Sequence, residues 1–190
     1  TQHNMQVLAS RGVHFIEPGE GYLACGDVGR GRLADPVDIV ASVLGMLGRE
    51  KDLEGRHVVV TAGPTVEPID AVRFISNPST GKMGFAIAEA ALERGAVVTL
   101  VTGPVSLVDV PGAKMVRVGT ACEMKAAVDE AFPSADIAIF SAAVSDFRPR
   151  TVSDRKLKKG ADDEALAHIE LVENPDILAS CGAAKREGQV

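Results

Sequence analysis

The stretch HVVVTAGPTVEPIDAVRFISNPSTGKMG, residues 57–84, decides the fold of this chain. It opens on a short apolar run rich in β-branched residues, which is typical of a buried strand. It ends where the spacing of apolar residues becomes helical. The connection between them, residues 62–84, is long for a strand-to-helix unit, and connections of that length are usually functional. Because open α/β sheets bind ligands beyond the carboxyl ends of their strands, this loop is a candidate binding site.

Strand-like and helix-like segments alternate after this stretch. Strand patterns cover residues 97–102, 115–118, 135–144 and 168–172, and helix patterns cover 84–94, 121–132 and 175–186. This alternation predicts an α/β fold with a doubly wound, parallel, Rossmann-like sheet. Thr120 is the expected N-cap of the second helix.

The segment before residue 57 is expected to be the tail of a separate domain. Its patterns indicate a helix over residues 1–11, a strand over 13–16, a glycine-rich loop over 17–32 and a helix that begins at Asp35-Pro36. We therefore expect domains at residues 1–48 and 57–190, joined by a charged linker at 49–56. The chain begins within a helix-like pattern and ends where a strand would be expected to follow, so we expect each domain to be part of a longer one.

Composition limits the classes of function. The net charge of −6 argues against a general nucleic-acid partner. No apolar run approaches the roughly 20 residues that a membrane span needs. The three cysteines are far apart and odd in number, which favours a reducing, cytoplasmic location. The four histidines show no metal-ligand spacing, so a zinc site is not expected.

The generic nucleotide-binding motifs do not fit. A dinucleotide fingerprint needs G-x-G-x-x-G directly after the first strand, and Ala62-Gly63-Pro64 lacks the second glycine. A Walker A loop needs Ser or Thr after its Lys, but Met83 follows Lys82. What remains is the start of a helix at Gly81-Lys82, where an anion would be favoured.

Arg73, Ser76 and Asn77 are the chemically useful residues of the long loop. The planar guanidinium of Arg suits a carboxylate or phosphate. The amide of Asn offers both a donor and an acceptor, which suits an acyl group whose charge changes during reaction. The alternative is a solvated Arg and a turn-forming Asn before Pro78.

Three later segments carry candidate site residues. The small residues of SAAVSD, 141–146, would let a planar base or ribose approach the backbone, and Asp146 could hold a ribose hydroxyl or a metal-bound phosphate. The Lys156–Lys159 run suggests a flap over a polyphosphate, and Asn174-Pro175 follows the end of a strand. The alternatives are helix-capping or turn-capping roles for Asp146 and Asn174, and a solvated loop for the lysines.

The cysteines differ in their surroundings. Cys25 lies among glycines in a loop, which indicates an exposed thiol that is protonated at neutral pH and able to act as an acid. Cys122 and Cys181 have alanine neighbours in helix patterns, and we expect both to be packing residues.

Taken together, the runs AGPTVEPIDAVRFISNPSTGKMG, SAAVSDFRP, KLKK and ENPDI resemble phosphopantothenoylcysteine synthetase. The loop GYLACGDVGRGRLADP resembles the substrate clamp of phosphopantothenoylcysteine decarboxylase. In most bacteria these are two halves of one bifunctional protein of coenzyme A biosynthesis. The resemblance covers essentially the whole chain.

The resemblance implies a phosphopantothenate–cysteine ligase, in which CTP activates the carboxylate of 4′-phosphopantothenate as an acyl-cytidylate and cysteine then displaces CMP. It assigns Asn77 to the acyl group, Arg73 to substrate binding and Lys159 to the activation step. The nucleotide contacts it implies are Phe140, Ser141, Ala142, Asp146, Lys156, Asn174 and Pro175. Mg²⁺ is implied because a triphosphate needs charge neutralisation, and Asp146 is its candidate ligand.

For the decarboxylase half, the resemblance implies that the segment before residue 57 is the tail of a flavin-type α/β domain. It also implies FMN as cofactor and Cys25 as the acid that protonates an enethiolate. Most of the family's FMN contacts and its catalytic histidine have no counterpart in this chain, so this segment alone is not expected to decarboxylate. The resemblance also implies a homo-oligomer, with a ligase dimer and higher assembly through the decarboxylase.

Two rival functions stay open at this point. One is an NAD(P)-dependent oxidoreductase on the same fold, against which the missing glycine fingerprint counts. The other is a non-catalytic regulatory flavoprotein subunit, against which the Arg73/Asn77 loop and the lysine run count. The ligase interpretation further expects Asn77, Asp146 and the lysines to converge on one crevice at the rim of the sheet.

Overall fold

The computed structural model describes residues 2–22, 26–47 and 51–190. The chain divides into two compact units, residues 1–50 and 51–190. Where the structure describes the chain, no helix combines the length and the apolar character needed to cross a membrane.

The first unit contains two helices and a hairpin. In chain order these are α1 (Gln2–Ser10), β1 (Gly19–Tyr22), β2 (Val28–Arg32) and α2 (Pro36–Leu47). The Asp35 carboxylate accepts a hydrogen bond of 3.0 Å from Val37 N, as expected for an Asp before a helix.

Two predictions for this unit are wrong. Residues 13–16 form no strand, and the predicted loop at 17–32 contains the antiparallel pair β1–β2. Within the described part of this unit, residues 13–16 pair with no strand, whereas the backbone groups of the glycine-rich segment pair with each other. Since backbone pairing needs no apolar alternation, the sequence pattern does not reveal this hairpin.

The second unit is an α/β layer structure. In chain order its elements are β3 (His57–Ala62), β4 (Val66–Pro68), β5 (Phe74–Ser76), α3 (Lys82–Glu93), β6 (Val97–Thr102), β7 (Lys114–Arg117), α4 (Ala121–Ala131), β8 (Ile137–Phe140), β9 (Phe147–Pro149), α5 (Asp163–Ala167), β10 (Leu171–Glu173) and α6 (Ile177–Ala184). The main sheet has four strands in the order β7–β6–β3–β8, all parallel.

Helices cover both faces of this sheet, which confirms the predicted α/β class. The core on the α3 face includes Val58, Val60, Ala62, Phe85, Ala88 and Leu100. The core on the opposite face includes Val101, Met124, Val128, Phe132 and Ile177. Parallel strands buried on both faces require the nearly continuous apolar runs seen in β3 and β6.

Helix α4 begins as predicted. The Thr120 hydroxyl accepts a hydrogen bond of 3.2 Å from Glu123 N, and Glu123 Oε2 accepts one from Thr120 N at 3.2 Å. This reciprocal arrangement is a capping box, which satisfies backbone donors that the first turn leaves without helical partners.

Several strand boundaries differ from the predictions. The strand predicted over 135–144 pairs with β3 only over Ile137–Phe140. Beyond it, Ser141 N and the Ser141 hydroxyl both donate to Thr61 O, at 3.2 and 2.6 Å. The strand predicted over 168–172 is Leu171–Glu173, and it pairs antiparallel with β9 outside the main sheet. The sequence analysis missed β9, α5 and the hairpin β4–β5 inside the long loop.

Candidate functional site

A cleft of about 440 Å³ lies beyond the carboxyl end of β8. This volume falls within the usual range for small-molecule sites. The lining residues are Thr61, Met124, Phe140, Ala142, Val144, Ser145, Asp146, Phe147, Glu173, Asn174, Pro175, Asp176, Ile177 and Leu178. The strand end, the segment after it and the start of α6 therefore form one concave surface.

Five of the predicted nucleotide contacts lie on this cleft, namely Phe140, Ala142, Asp146, Asn174 and Pro175. Ser141 does not line it, since its hydroxyl is bonded to Thr61 O. Lys156 does not line it either and is exposed. The structure thus groups residues that are up to 35 positions apart in the sequence, and it places the lysine elsewhere.

Asn174 fixes one wall of the cleft through its amide and its backbone. Its Nδ2 donates to Ser145 O at 2.8 Å, and its backbone N donates to Asp146 O at 2.7 Å. Its Oδ1 accepts a hydrogen bond of 3.0 Å from Arg148 Nη1. The amide is therefore held from both sides, and Asp176, not Asn174, caps α6 through Ala179 N at 2.8 Å.

Arg148 is a site residue that the sequence analysis missed. Its guanidinium donates to Glu173 O at 2.7 Å as well as to Asn174. Its position in SAAVSDFRP, directly after a strand, could have suggested a role at the site. The local sequence does not show that its partners lie 25 and 26 residues away.

Ser145 is 4% exposed, and its hydroxyl has no hydrogen-bond partner among the described residues. The backbone of Ser145 is nevertheless well held, because its N donates to Thr65 Oγ1 at 3.0 Å and its carbonyl accepts from Asn174. This residue joins the long loop to the wall of the cleft.

Three carboxylate side chains lie around the cleft, those of Asp146, Glu173 and Asp176. An exposed Asp146 fits a magnesium ion, because Mg²⁺ is usually held by one or two carboxylates together with waters and substrate phosphates. A dedicated cage is absent from residues 2–22, 26–47 and 51–190, where no group of three or more His, Cys, Asp or Glu could hold a metal. A triphosphate near these acids would need a cation to offset the repulsion.

Asn77 touches the same region from the other side. Its Nδ2 donates to Val144 O at 3.0 Å, and Val144 lines the cleft. Asn77 itself is exposed, and an amide has a second N–H and a carbonyl oxygen to offer. The structure therefore brings Asn77 to the segment that carries Asp146.

The far end of the long loop is fixed by close packing. Gly81 has φ 75° and starts α3 with no side-chain cap. A Cβ on Gly84 would lie 2.5 Å from the Ala62 Cβ and 2.7 Å from Ser141 Oγ, so only glycine allows this approach of helix to strand. The first turn of α3 thus lies against the carboxyl end of β3.

The Arg73 side chain already has partners within the protein, which the sequence did not predict. Its Nη1 donates to Asp70 Oδ2 at 2.5 Å and to Leu157 O at 3.2 Å. The Asp70 side chain is 0% exposed, and its carboxylate also accepts from three backbone donors: Val72 N at 2.8 Å, Arg73 N at 2.8 Å and Leu157 N at 3.1 Å. Arg73 therefore binds Asp70 first and has only its remaining donors for a ligand.

Burial by itself raises the pKa of Asp70, but the backbone donors of Val72, Leu157 and Arg73 and the charge of Arg73 outweigh it. The net result is a pKa lowered to about 2. The carboxylate form is consequently the one that the fold stabilises.

An Asp70→Asn change should therefore destabilise the protein in a pH-dependent way. The folded pKa lies below the unfolded one, so the stabilisation is complete above about pH 5 and is lost as the pH falls from about 4 to about 2. The unfolding midpoint of the variant should be a few degrees lower at pH 7, with the gap closing toward pH 2. Thermal unfolding of both proteins from pH 2 to 7 tests this, with Asp129→Asn, an exposed ion-pair variant, as control. A gap that stays constant with pH would contradict the assignment.

The lysines lie on a compact segment, residues 153–162, which we call the lysine turn. Arg155 makes two hydrogen bonds to the Asp162 carboxylate, at 2.9 and 2.7 Å, and Lys158 N donates to the same carboxylate at 2.8 Å. Hydrogen bonding to Arg155 lowers the pKa of Asp162 to about 2. Lys156 and Lys159 are exposed on this turn and do not line the cleft.

Cys25, the predicted decarboxylase acid, lies outside the described residues. Of the other two cysteines, Cys181 is buried, and burial raises the pKa of its thiol. Cys122 is exposed, so its prediction as a packing residue is wrong. The buried face of α4 follows Ala121, Met124 and Val128, and position 122 is turned away from it.

Comparison with known proteins gives consistent matches. Residues 53–190 match the family described as DNA/pantothenate metabolism flavoprotein C-terminal domain. The coenzyme A biosynthesis bifunctional protein CoaBC of Escherichia coli (strain K12) is 51% identical over 185 residues, which are 97% of this chain and 46% of that protein. A cysteine/cysteine sulfinic acid decarboxylase from an unknown prokaryotic organism is 48% identical over 195 residues, which cover 100% of this chain and 54% of that protein.

A solved structure gives the same picture. The crystal structure of the C-terminal domain of CoaBC superposes with a TM-score of 0.61 at 41% identity, over 71% of this chain and 62% of that one. The chain spans about half the length of the curated relatives it matches.

Proposed function

This chain belongs to the DNA/pantothenate metabolism flavoprotein C-terminal domain family, and we propose that residues 51–190 carry the site of a CTP-dependent phosphopantothenate–cysteine ligase of coenzyme A biosynthesis. The observation that supports this most directly is the cleft beyond β8, which gathers Phe140, Ala142, Asp146 and Asn174. Asn77 reaches the same segment through its bond to Val144.

The proposed reaction has two steps. A carboxylate oxygen of 4′-phosphopantothenate attacks the α-phosphorus of CTP, and pyrophosphate leaves. The amine of cysteine then attacks the acyl carbon, loses a proton and displaces CMP, which forms the amide. Both steps place negative charge on oxygen, so the site needs donors and cations near those atoms.

The residues divide between these steps. The small side chains after β8 leave room for the base and ribose, with Phe140, Ala142, Asn174 and Pro175 lining the cleft and Ser141 next to them in the chain. Arg73 contributes its free donors to the acidic substrate, and Asn77 places its amide near the acyl oxygen. Lys156 binds the nucleotide, and Lys159 offsets the charge that develops as pyrophosphate leaves. Both lysines are exposed, so their charges are available to a ligand. We propose that the lysine turn lies over the bound triphosphate.

We propose Mg²⁺ as a required ion, held by Asp146 and the phosphates. When bound, it supplies charge neutralisation for the triphosphate. The chain's own contribution is the exposed Asp146 carboxylate on the cleft, with the exposed carboxylates of Glu173 and Asp176 on the same cleft.

The test is a set of matched assays with CTP, 4′-phosphopantothenate, cysteine and Mg²⁺. Pyrophosphate release should require CTP and phosphopantothenate but not cysteine, and amide formation should require all of them. ATP in place of CTP tests the nucleotide preference. Oxidation of NADPH, or release of CO₂ from free cysteine without any nucleotide, would favour other functions.

An Asp146→Asn variant should need about tenfold or more Mg²⁺ for half-maximal pyrophosphate release, because the proposed carboxylate ligand loses its charge. A magnesium titration of the wild type, this variant and Asp129→Asn provides the measurement. Equal midpoints for wild type and Asp146→Asn would remove Asp146 from the metal site.

For the first unit we propose a contribution to FMN-dependent decarboxylation of the ligase product. When bound, FMN supplies the oxidation and reduction of the substrate's cysteinyl group. Cys25 is the proposed proton donor to the enethiolate that remains after CO₂ has left. The support for this is the sequence GYLACGDVGRGRLADP.

In the full-length protein, a Cys25→Ser change should let decarboxylation proceed but block protonation, since a hydroxyl is a much weaker acid than a thiol. We expect an oxidised, decarboxylated product to accumulate and the flavin to stay reduced. Mass spectrometry and flavin absorbance in a single turnover measure both. Normal turnover in this variant would exclude Cys25 as the acid.

We also propose a homo-oligomer, with a dimer of the ligase part. The two-stranded pairs β4–β5 and β9–β10 of the second unit expose apolar side chains, at Phe74, Phe147 and Leu171. Light scattering gives the oligomeric state directly. The odd number of cysteines, with Cys122 and Cys181 both free, supports a reducing, cytoplasmic location.

A further inference from the structure

Two sets of bonds hold the lysine turn, and they differ in kind. One set is internal: Asp162 accepts from Arg155 and from Lys158 N, and Gly160 N donates to Asp163 Oδ1 at 2.7 Å. These bonds close residues 155–163 on themselves. The internal set makes the turn a compact body, but it does not decide where that body lies.

The second set ties the turn to the loop between β4 and β5. Leu157 N donates to Asp70 Oδ2 at 3.1 Å, and Leu157 O accepts from Arg73 Nη1 at 3.2 Å. Ser153 N donates to Ile69 O at 3.0 Å. Leu157 is thus bonded through both its backbone groups to one ion pair.

Asp70 is the centre of this second set. Its Oδ1 bonds the backbone of its own loop, at Val72 and Arg73, while its Oδ2 bonds the guanidinium of Arg73 and the backbone of Leu157. With 0% of the side chain exposed, no water competes for these positions. A buried carboxylate that satisfies four donors is costly to replace, since an amide offers donors of its own where acceptors are needed.

We propose that Asp70 is a positioning residue that anchors the lysine turn beside the Arg73 loop, so that one buried carboxylate sets the placement of Arg73, Lys156 and Lys159 together. The proposal rests on the proposed ligase function only for the roles of Lys156 and Lys159 in catalysis. The anchor itself can be tested without any substrate.

The first test compares amide hydrogen exchange, resolved by residue, in wild type, Asp70→Asn and Asp162→Asn. Asp70→Asn should speed exchange at the Leu157 amide about tenfold or more and leave the Lys158 amide close to its wild-type rate. Asp162→Asn should do the reverse, because it breaks the internal set and spares the anchor. Unchanged exchange at Leu157 in Asp70→Asn overturns the proposal.

A second variant keeps the proposal testable if Asp70→Asn fails to fold. Leu157→Pro removes the backbone N–H that donates a hydrogen bond to Asp70, and it leaves the Asp70–Arg73 ion pair in place. We expect the Ser153 amide hydrogen, which forms the neighbouring bond to Ile69 O, to exchange several-fold faster in this variant. Amide exchange in β3 and β6 should be unchanged. Wild-type protection at Ser153 overturns the proposal.

The functional arm measures pyrophosphate release. Both anchor variants should release it about tenfold more slowly than wild type, while Asp129→Asn, an exposed ion-pair variant on α4, should match wild type. Rates within twofold of wild type in both anchor variants, together with fast exchange at Leu157 or Ser153, would show a structural contact only and overturn the positioning role. If the wild type releases no pyrophosphate, the ligase function fails while the exchange result still decides the anchor.

Discussion

An Asn77→Asp protein should release pyrophosphate at close to the wild-type rate and form the amide at least about a hundredfold more slowly. Activation of the carboxylate takes place at the phosphorus of the nucleotide, away from this amide. Attack by the amine instead places negative charge on the acyl oxygen. A neutral amide N–H can stabilise that charge, whereas a second carboxylate repels it.

The geometry adds a second reason for this effect. Asn77 Nδ2 donates to Val144 O at 3.0 Å, so the amide is held against the segment that lines the cleft. An aspartate has no donor for that carbonyl and would be pushed away from it. Asn77→Ser serves as the control, because it gives up the same bond without adding charge.

The measurement follows both products in one reaction. We expect Asn77→Asp to give pyrophosphate and an acyl-cytidylate that mass spectrometry detects, with little amide. Asn77→Ser should form amide at a rate between those of wild type and Asn77→Asp. Equal amide rates in Asn77→Asp and wild type would show that position 77 takes no part in the second step.

The sheet could be predicted because its strands are encoded locally. β3 and β6 are short runs of β-branched residues, and strands of this kind are stable only when helices cover both faces. The N-cap at Thr120 is equally local, since its partner Glu123 lies three residues away. The prediction of these elements needed no knowledge of what packs against them.

The site could be predicted only in part, for a physical reason. Phe140, Ala142 and Asp146 lie at or after the end of β8, and parallel strands have their carboxyl ends at the same edge of a sheet. Asn174 and Pro175 follow β10, which lies outside the main sheet. The anchor at Asp70 depends on Leu157, which is 87 residues away, and a loop aspartate has the same local pattern whether it is buried or solvated. The pairing of Arg73 with Asp70, three residues apart, was not predicted because the local sequence does not show that the Asp70 carboxylate is buried.

Cys122 shows a different kind of error. Its alanine neighbours suggested packing, but the helical spacing of Ala121, Met124 and Val128 points the buried face elsewhere. The helical spacing of the apolar residues is visible in the sequence and predicts the position of Cys122 better than its alanine neighbours do.

A Lys159→Gln protein should show the opposite defect to Asn77→Asp. Loss of the charge that offsets the departing pyrophosphate should slow acyl-cytidylate formation by about 10²–10³-fold. Lys158→Gln is the matched control, because it removes the same charge from the same turn, and we expect a loss of only a few-fold. Similar losses in the two variants would show that the turn contributes bulk charge and that Lys159 has no particular role.

The two variants together separate the steps. Acyl-cytidylate isolated from Asn77→Asp and supplied to Lys159→Gln should be converted to the amide at close to the wild-type rate, because the activation step has then been bypassed. The same intermediate returned to Asn77→Asp should stay unreacted. If Lys159→Gln fails to use the intermediate, the lysine is required for the second step as well, and the division of labour between the lysine turn and the Asn77 loop is wrong.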